Sequence, residues 1–130
     1  MPKRIDGNPV LRTPELASLG LLSSAMRDLV ARANTGRLTQ ADLEGGSLTV
    51  SNLSMYGVDS FSAIINPPHS VILAVGAVRP GVVAIDDECQ VRPLMQLTVS
   101  IDHRAIDGAV GARWLDALVN HLRCPIGLII

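Results

Sequence analysis

The stretch Met95-Gln96-Leu97-Thr98-Val99-Ser100-Ile101 alternates apolar and polar residues and runs without a break into Asp102-His103-Arg104-Ala105-Ile106-Asp107-Gly108-Ala109. A period of two sets Met95, Leu97, Val99 and Ile101 on one face, the pattern of a half-buried strand. Past Gly108 the period lengthens. Leu115, Leu118, Val119 and Leu122 share one face of a helix expected from about Gly108 to Leu122, which Pro125 stops. A strand that feeds straight into a helix sets the residues between them at the edge of a sheet, where pockets form.

Working outward, Ser70 to Val78 is a continuous run rich in Val and Ile, as expected of a strand buried on both faces. Val82–Ile85 and Cys89–Arg92 read as hairpin arms around the acidic turn Asp86-Asp87-Glu88. Ser47–Leu53 reads as a strand with Leu48 and Val50 on one face and Thr49 and Ser51 on the other. Asn52–Ser60 is expected to be a loop. Ser62–Ile65 is expected to be a short strand ended by Pro67-Pro68, which cannot donate to a ladder. At the N-terminal side a helix is expected, with Thr13 as cap and Pro14 at its first position. Leu19, Leu22, Met26, Leu29, Val30 and Ala33 form its apolar face, and Asn34-Thr35-Gly36 is its stop. Thr39 can cap a further helical turn before Gly45-Gly46 breaks it. Helix, mostly antiparallel strands, then helix is the pattern of helices layered on one sheet.

The chain has 130 residues, room for one domain and too few for two ordinary ones. It is 48% hydrophobic and 18% charged, enough to build a core, with a single Trp, Tyr and Phe. So few aromatics argue against single-strand nucleic-acid binding, which needs stacking platforms. A net charge of -1 provides no footprint for nucleic acid or an anionic membrane. Cys89 and Cys124 form no CxxC pair, so neither a redox motif nor a metal site is expected. There is no apolar leader after Met1 and no run near the roughly 20 apolar residues that span a bilayer. A cytoplasmic protein is the expectation. The apolar ending Ile126-Gly127-Leu128-Ile129-Ile130 points to burial in an oligomer or against a missing part of the domain.

His103 is the candidate for chemistry. A neutral imidazole can take a proton near neutrality and give it back, provided a neighbour holds the ring. From spacing alone the plainer reading is preferred: Asp107 is a helix cap, Arg104 a surface residue and His103 a loop histidine. His69 and His121 read as ordinary polar residues.

Four stretches alter that balance: Gly45-Gly46-Ser47-Leu48-Thr49-Val50-Ser51-Asn52-Leu53, Ile64-Ile65-Asn66-Pro67-Pro68, Ile72-Leu73-Ala74-Val75-Gly76-Ala77, and Asp102-His103-Arg104 through Asp107-Gly108. In order and spacing they resemble the catalytic domain of the dihydrolipoyl acyltransferases, the E2 cores of 2-oxo-acid dehydrogenase complexes. The resemblance implies an α/β (α+β) fold of the chloramphenicol acetyltransferase-like kind, a mixed sheet flanked by helices, incomplete at the N-terminus. Residues 1–130 would be the C-terminal part of that domain.

It also implies that His103 deprotonates the attacking thiol of coenzyme A or dihydrolipoyl-lysine and that the hydroxyl of Ser51 stabilises the tetrahedral oxyanion. Asp107 holds the motif's acidic position, with an orienting or structural role, and Gly108 permits a close approach as the helix starts. Coenzyme A and lipoyl-lysine are the implied substrates, with no metal and with the lipoyl domain outside this chain. The implied partners are two further copies in a homotrimer, with serine and histidine facing each other from neighbouring chains. The resemblance extends to a larger cubic or icosahedral core, and implies E1 and E3 components that bind through domains outside this chain. Ser54 departs from the glycine usual after Ser-Asn-Leu. A non-catalytic core-assembly module is the competing expectation. A chloramphenicol-modifying acyltransferase would share the histidine motif without the Ser-Asn-Leu and Asn-Pro-Pro matches. The acyl group, whether acetyl, branched-chain or succinyl, stays open.

Overall fold

The computed structural model describes residues 7–128. They fall into two compact units, one of residues 7–46 with 124–128 and the other Ser47–Arg123.

In the first unit helix α1 spans Leu19–Asn34. Thr13 does not cap it. Its backbone is left-handed, with φ 45°, whereas a cap needs extended geometry, and it starts only the short turn Pro14–Leu16. The cap is Ser18, extended, whose hydroxyl accepts the Leu21 N–H at 3.4 Å. The stop lies where the sequence sets it: the Thr35 hydroxyl donates to the Ala31 carbonyl at 3.0 Å, and Gly36 is left-handed at φ 68°. Leu29 is buried while Leu19, Met26 and Val30 stay exposed, so the apolar stripe is only partly covered. The turn Gln40–Asp42 forms as expected after Thr39, whose N–H and hydroxyl both donate to Asp42 Oδ2 at 2.8 Å. Arg32 bridges Asp28 and Asp42, and its guanidinium holds the Asp42 carboxyl well below the usual carboxylate range.

The second unit is built on a three-stranded sheet. Strands β1 (Leu48–Asn52), β2 (Val71–Val75) and β5 (Leu97–Ile101) lie in the order β1-β2-β5, with β1 parallel and β5 antiparallel to β2. Ile72, Leu73 and Ala74 are buried, so the central strand is covered on both faces, as its unbroken apolar run requires. Strands β3 (Arg79–Ile85) and β4 (Glu88–Leu94) form a separate hairpin. Asp86 and Asp87 turn it with φ of 51° and 64°, the doubly left-handed turn whose twist suits a tight hairpin. Ser62–Ile65 is not a strand: β2 already has a partner on each side, and Ile64 is left 91% exposed.

Helix α2 (Gly108–Arg123) packs on β5. Contact is close because Gly111 has no side chain; a Cβ there would lie 2.9 Å from Ile101 Cδ1. The register puts Leu48, Val71 and Ile101 on this helix-bearing face, and Thr49, Ser51, Ile72 and Ala74 on the other. Thr49 is buried and Ser51 half-buried, whereas Val50 is 58% exposed. The polar side of β1 is the inner one. No helix among the described residues is long and apolar enough to cross a membrane.

Candidate active site

The turn between β5 and α2 carries His103. The Asp102 N–H donates to the Ser70 carbonyl at 2.9 Å, which adds one row to the β2–β5 ladder. The chain then reverses sharply, with the Ala105 and Ile106 N–H groups both donating to the Asp102 carbonyl at 2.9 Å. The Asp102 carboxylate accepts from the Arg104 backbone N–H at 3.0 Å and from its guanidinium at 2.7 to 3.2 Å. The Arg104 guanidinium holds that carboxyl at about 2, against an ordinary 3.8. The turn is stiff, and His103 sits exposed near its tip with its ring over Gly108. A Cβ on Gly108 would meet His103 Cε1 at 3.2 Å.

Asp107 does not reach His103 by any hydrogen bond among the described residues. It caps α2: its Oδ1 accepts the Ala109 N–H at 3.2 Å, and its carbonyl accepts those of Val110 and Gly111. A carboxylate there also suits the positive end of the helix dipole. All of these hydrogen bonds are those of a helix cap.

Ser51 and His103 do not meet within one chain. Ser51 pairs with Ala74, and Ala74 with Thr98, while the row Leu48–Val71–Ile101 lies three residues away toward the other end of the sheet. At about 3.3 Å per residue this is about 10 Å, and His103 lies further out, beyond Ile101. Ser51 also faces away from α2.

Beside the His103 turn, an open groove of about 480 Å³ runs between the sheet end and α2. Ile101, Ala105, Ile106, Val110, Trp114 and Leu48 line it. None of its lining residues is charged, and its polar side chains are Ser47 and Ser70 besides the Trp114 indole. Among the described residues no three His, Cys, Asp or Glu side chains are grouped so as to hold a metal ion.

Sequence reasoning passed over His69. Its Nδ1 lies 2.6 Å from the hydroxyl of Thr49, twenty residues away in sequence. Thr49 is the one buried polar residue among those described. Only the pairing of β1 with β2 brings the two together, so no local signal could have found them.

The mixed sheet flanked by helices is the fold of solved dihydrolipoamide acetyltransferase catalytic domains, which are of the chloramphenicol acetyltransferase-like kind. Residues 8–130 match the family of 2-oxoacid dehydrogenases acyltransferase catalytic domains, and the chain belongs to it. It is 42% identical over 122 residues to the dihydrolipoyllysine-residue acetyltransferase component of the pyruvate dehydrogenase complex of Rhizobium meliloti (strain 1021), covering 94% of this chain and 27% of that protein. Among solved structures it resembles the dihydrolipoamide acetyltransferase of Azotobacter vinelandii, with a TM-score of 0.87 and 31% identity over 94% of this chain and 50% of that one. The cubic core of a pyruvate dehydrogenase multienzyme complex matches with a TM-score of 0.87 and 30% identity, over 94% and 50% of the two chains. The chain thus spans about a quarter of the curated relative and half of each solved one. In the Azotobacter enzyme a serine, a histidine and an asparagine have been investigated for their role in the catalytic mechanism. The first two stand as far apart along the chain as Ser51 and His103, and the last two as far apart as His103 and Asp107.

Proposed function

We propose that this chain is part of an acyltransferase that moves an acyl group, acetyl by the names its relatives carry, between dihydrolipoyl-lysine and coenzyme A. The observation that carries this reading is the shared spacing: Ser51, His103 and Asp107 stand as far apart along the chain as the serine, histidine and asparagine of the Azotobacter enzyme. A ring nitrogen of His103 takes the proton from the attacking thiol. The thiolate adds to the thioester carbonyl, and the new carbon–sulfur bond leaves a negative oxygen that the Ser51 hydroxyl stabilises. As the oxyanion collapses, the original carbon–sulfur bond breaks and the departing thiolate recovers the proton from the imidazolium. Asp107 fixes the start of α2 and takes no proton.

Because Ser51 and His103 lie at opposite ends of the sheet, a complete site takes Ser51 from one copy and His103 from another. This supports a homotrimer as the working unit, a building block for a core like the cubic one above. The exposed apolar residues Val50, Val82 and Val91, 58%, 68% and 70% exposed, fit a chain that is covered by others.

Acetyl transfer from acetyl-coenzyme A to dihydrolipoamide, measured with the full-length protein, tests the reading. His103→Ala is expected to lower kcat by about 10²–10⁴, and Ser51→Ala by about 10²–10³. Oligomers mixed from the two inactive variants recover part of the activity, since some interfaces then pair an intact serine with an intact histidine. Transfer at full rate by a folded His103→Ala assembly sinks the proposal.

A further inference from the structure

We infer that His69, locked onto Thr49, is a positioning residue for His103; this rests on the reading of His103 as the base. A buried hydroxyl is costly unless it is hydrogen-bonded, and Thr49, 8% exposed, has the His69 ring at 2.6 Å as its partner. His69 directly precedes Ser70, and Ser70 joins three segments. Its N–H donates to the Ser47 carbonyl at 3.2 Å, and its carbonyl accepts the Asp102 N–H at 2.9 Å, one residue before His103.

The loop that carries His103 is otherwise bonded to itself. Ala105 and Ile106 donate to Asp102, Arg104 wraps the Asp102 carboxylate, and Ala109 donates to Asp107. Among the described residues, its one hydrogen bond to another strand is the one to Ser70. On the upstream side of Ser70 the chain is the turn Asn66–His69, exposed through Pro68 and closed by the His69 N–H to the Asn66 carbonyl at 3.1 Å. The ring-to-hydroxyl bond is what ties this side of Ser70 to β1. When it is lost, Ser70 keeps its N–H bond to Ser47 but is no longer held on its upstream side, and the slack passes to the anchor of the His103 loop. Displacing a reacting group by 1 Å can cost about 10²-fold in rate, so a shift of half that predicts about tenfold.

Three variants of the full-length protein test the chain of contacts. Thr49→Val removes the hydroxyl at constant shape, His69→Phe removes Nδ1 while keeping a ring, and His69→Asn restores a polar atom near the place of Nδ1. In the first two, kcat falls about tenfold with KM for coenzyme A within about twofold; His69→Asn recovers most of the loss. A second measurement needs no turnover. Hydrogen exchange of the Asp102 amide speeds up about tenfold in Thr49→Val and His69→Phe while that of Leu73, at the centre of β2, stays unchanged. Unchanged Asp102 exchange overturns the inference, as does equal acceleration at Leu73, which would mean that the whole sheet has loosened. An unaltered kcat beside a faster Asp102 overturns it too. Failure of the underlying reading shows separately, as full activity in His103→Ala.

Discussion

Replacing Gly108 with alanine separates catalysis from folding, because the two are expected to move in opposite directions. The new Cβ would stand 3.2 Å from His103 Cε1 and 3.8 Å from Nε2. Carbon atoms rest about 3.5–4.0 Å apart, so the ring must withdraw by a few tenths of an ångström. It is exposed and sits near the tip of its turn, so it yields before the helix does. If 1 Å of misplacement costs about 10²-fold, a few tenths cost about threefold to tenfold in kcat. Folding responds differently: glycine to alanine in a helix stabilises by up to about 1 kcal/mol, less at a first position. Gly108→Ala is therefore expected to turn over threefold to tenfold more slowly with Tm unchanged or slightly raised. Gly20→Ala in α1, where a Cβ would meet nothing within 4 Å, is the control and keeps full kcat. The readouts are steady-state acetyl transfer and thermal denaturation of the same preparations. Full kcat in Gly108→Ala refutes the link between the ring's position and the rate. A large fall in Tm would show the backbone giving way instead of the imidazole.

Two further outcomes follow from the same turn. Asp107→Ala removes the α2 cap and should cost about 1 kcal/mol in urea unfolding, while Asp107→Asn keeps both the cap and the activity; equal stability of Asp107→Ala and wild type would deny the capping role. The Asp102 carboxyl titrates at about 2 in the folded chain against 3.8 ordinarily. Since the native value is the lower one, the Asp102–Arg104 contribution stands in full above about pH 4 and is lost as the pH falls through about 2. Asp102→Asn should flatten the stability profile across that window, read as urea midpoints, and an identical acid limb in both proteins would contradict the assignment.

Much of the fold was legible because its signals are local. The buried β2, the acidic hairpin turn, the alternating β5 and the extent of α2 each follow from residues next to one another, although Leu122 of the expected inner face of α2 stays 47% exposed. The errors arose where a local signal had a competitor or lacked a partner. Thr13 has a capping residue's chemistry, but its left-handed backbone hands that role to Ser18. Ser62–Ile65 has a strand's composition, yet composition cannot supply a neighbour to pair with, and β2 was already taken on both sides. Hydropathy alone would turn Leu48 and Val50 inward on β1. Val50 is left exposed because α2 packs on β5 and not on β1, while Thr49 is buried on the opposite face.

The site divides along the same line. His103 stood out because a strand-to-helix turn is visible in the sequence, whereas Ser51 could be named only by resemblance, since alternation gives a residue's face and not its place along a sheet. That place is fixed by strand direction. With β1 parallel and β5 antiparallel to β2, the end of β5 meets the beginning of β1. Every residue late in β1 is thereby carried away from every residue that follows β5. No rotamer change closes about 10 Å along paired strands. If both side chains act on one thioester, the second must come from another copy, so assembly is a condition of the proposed chemistry. The open apolar side of β1, with Val50 58% exposed, is then a surface that an assembly can cover, at no cost to the polar inner face that holds Ser51 and Thr49.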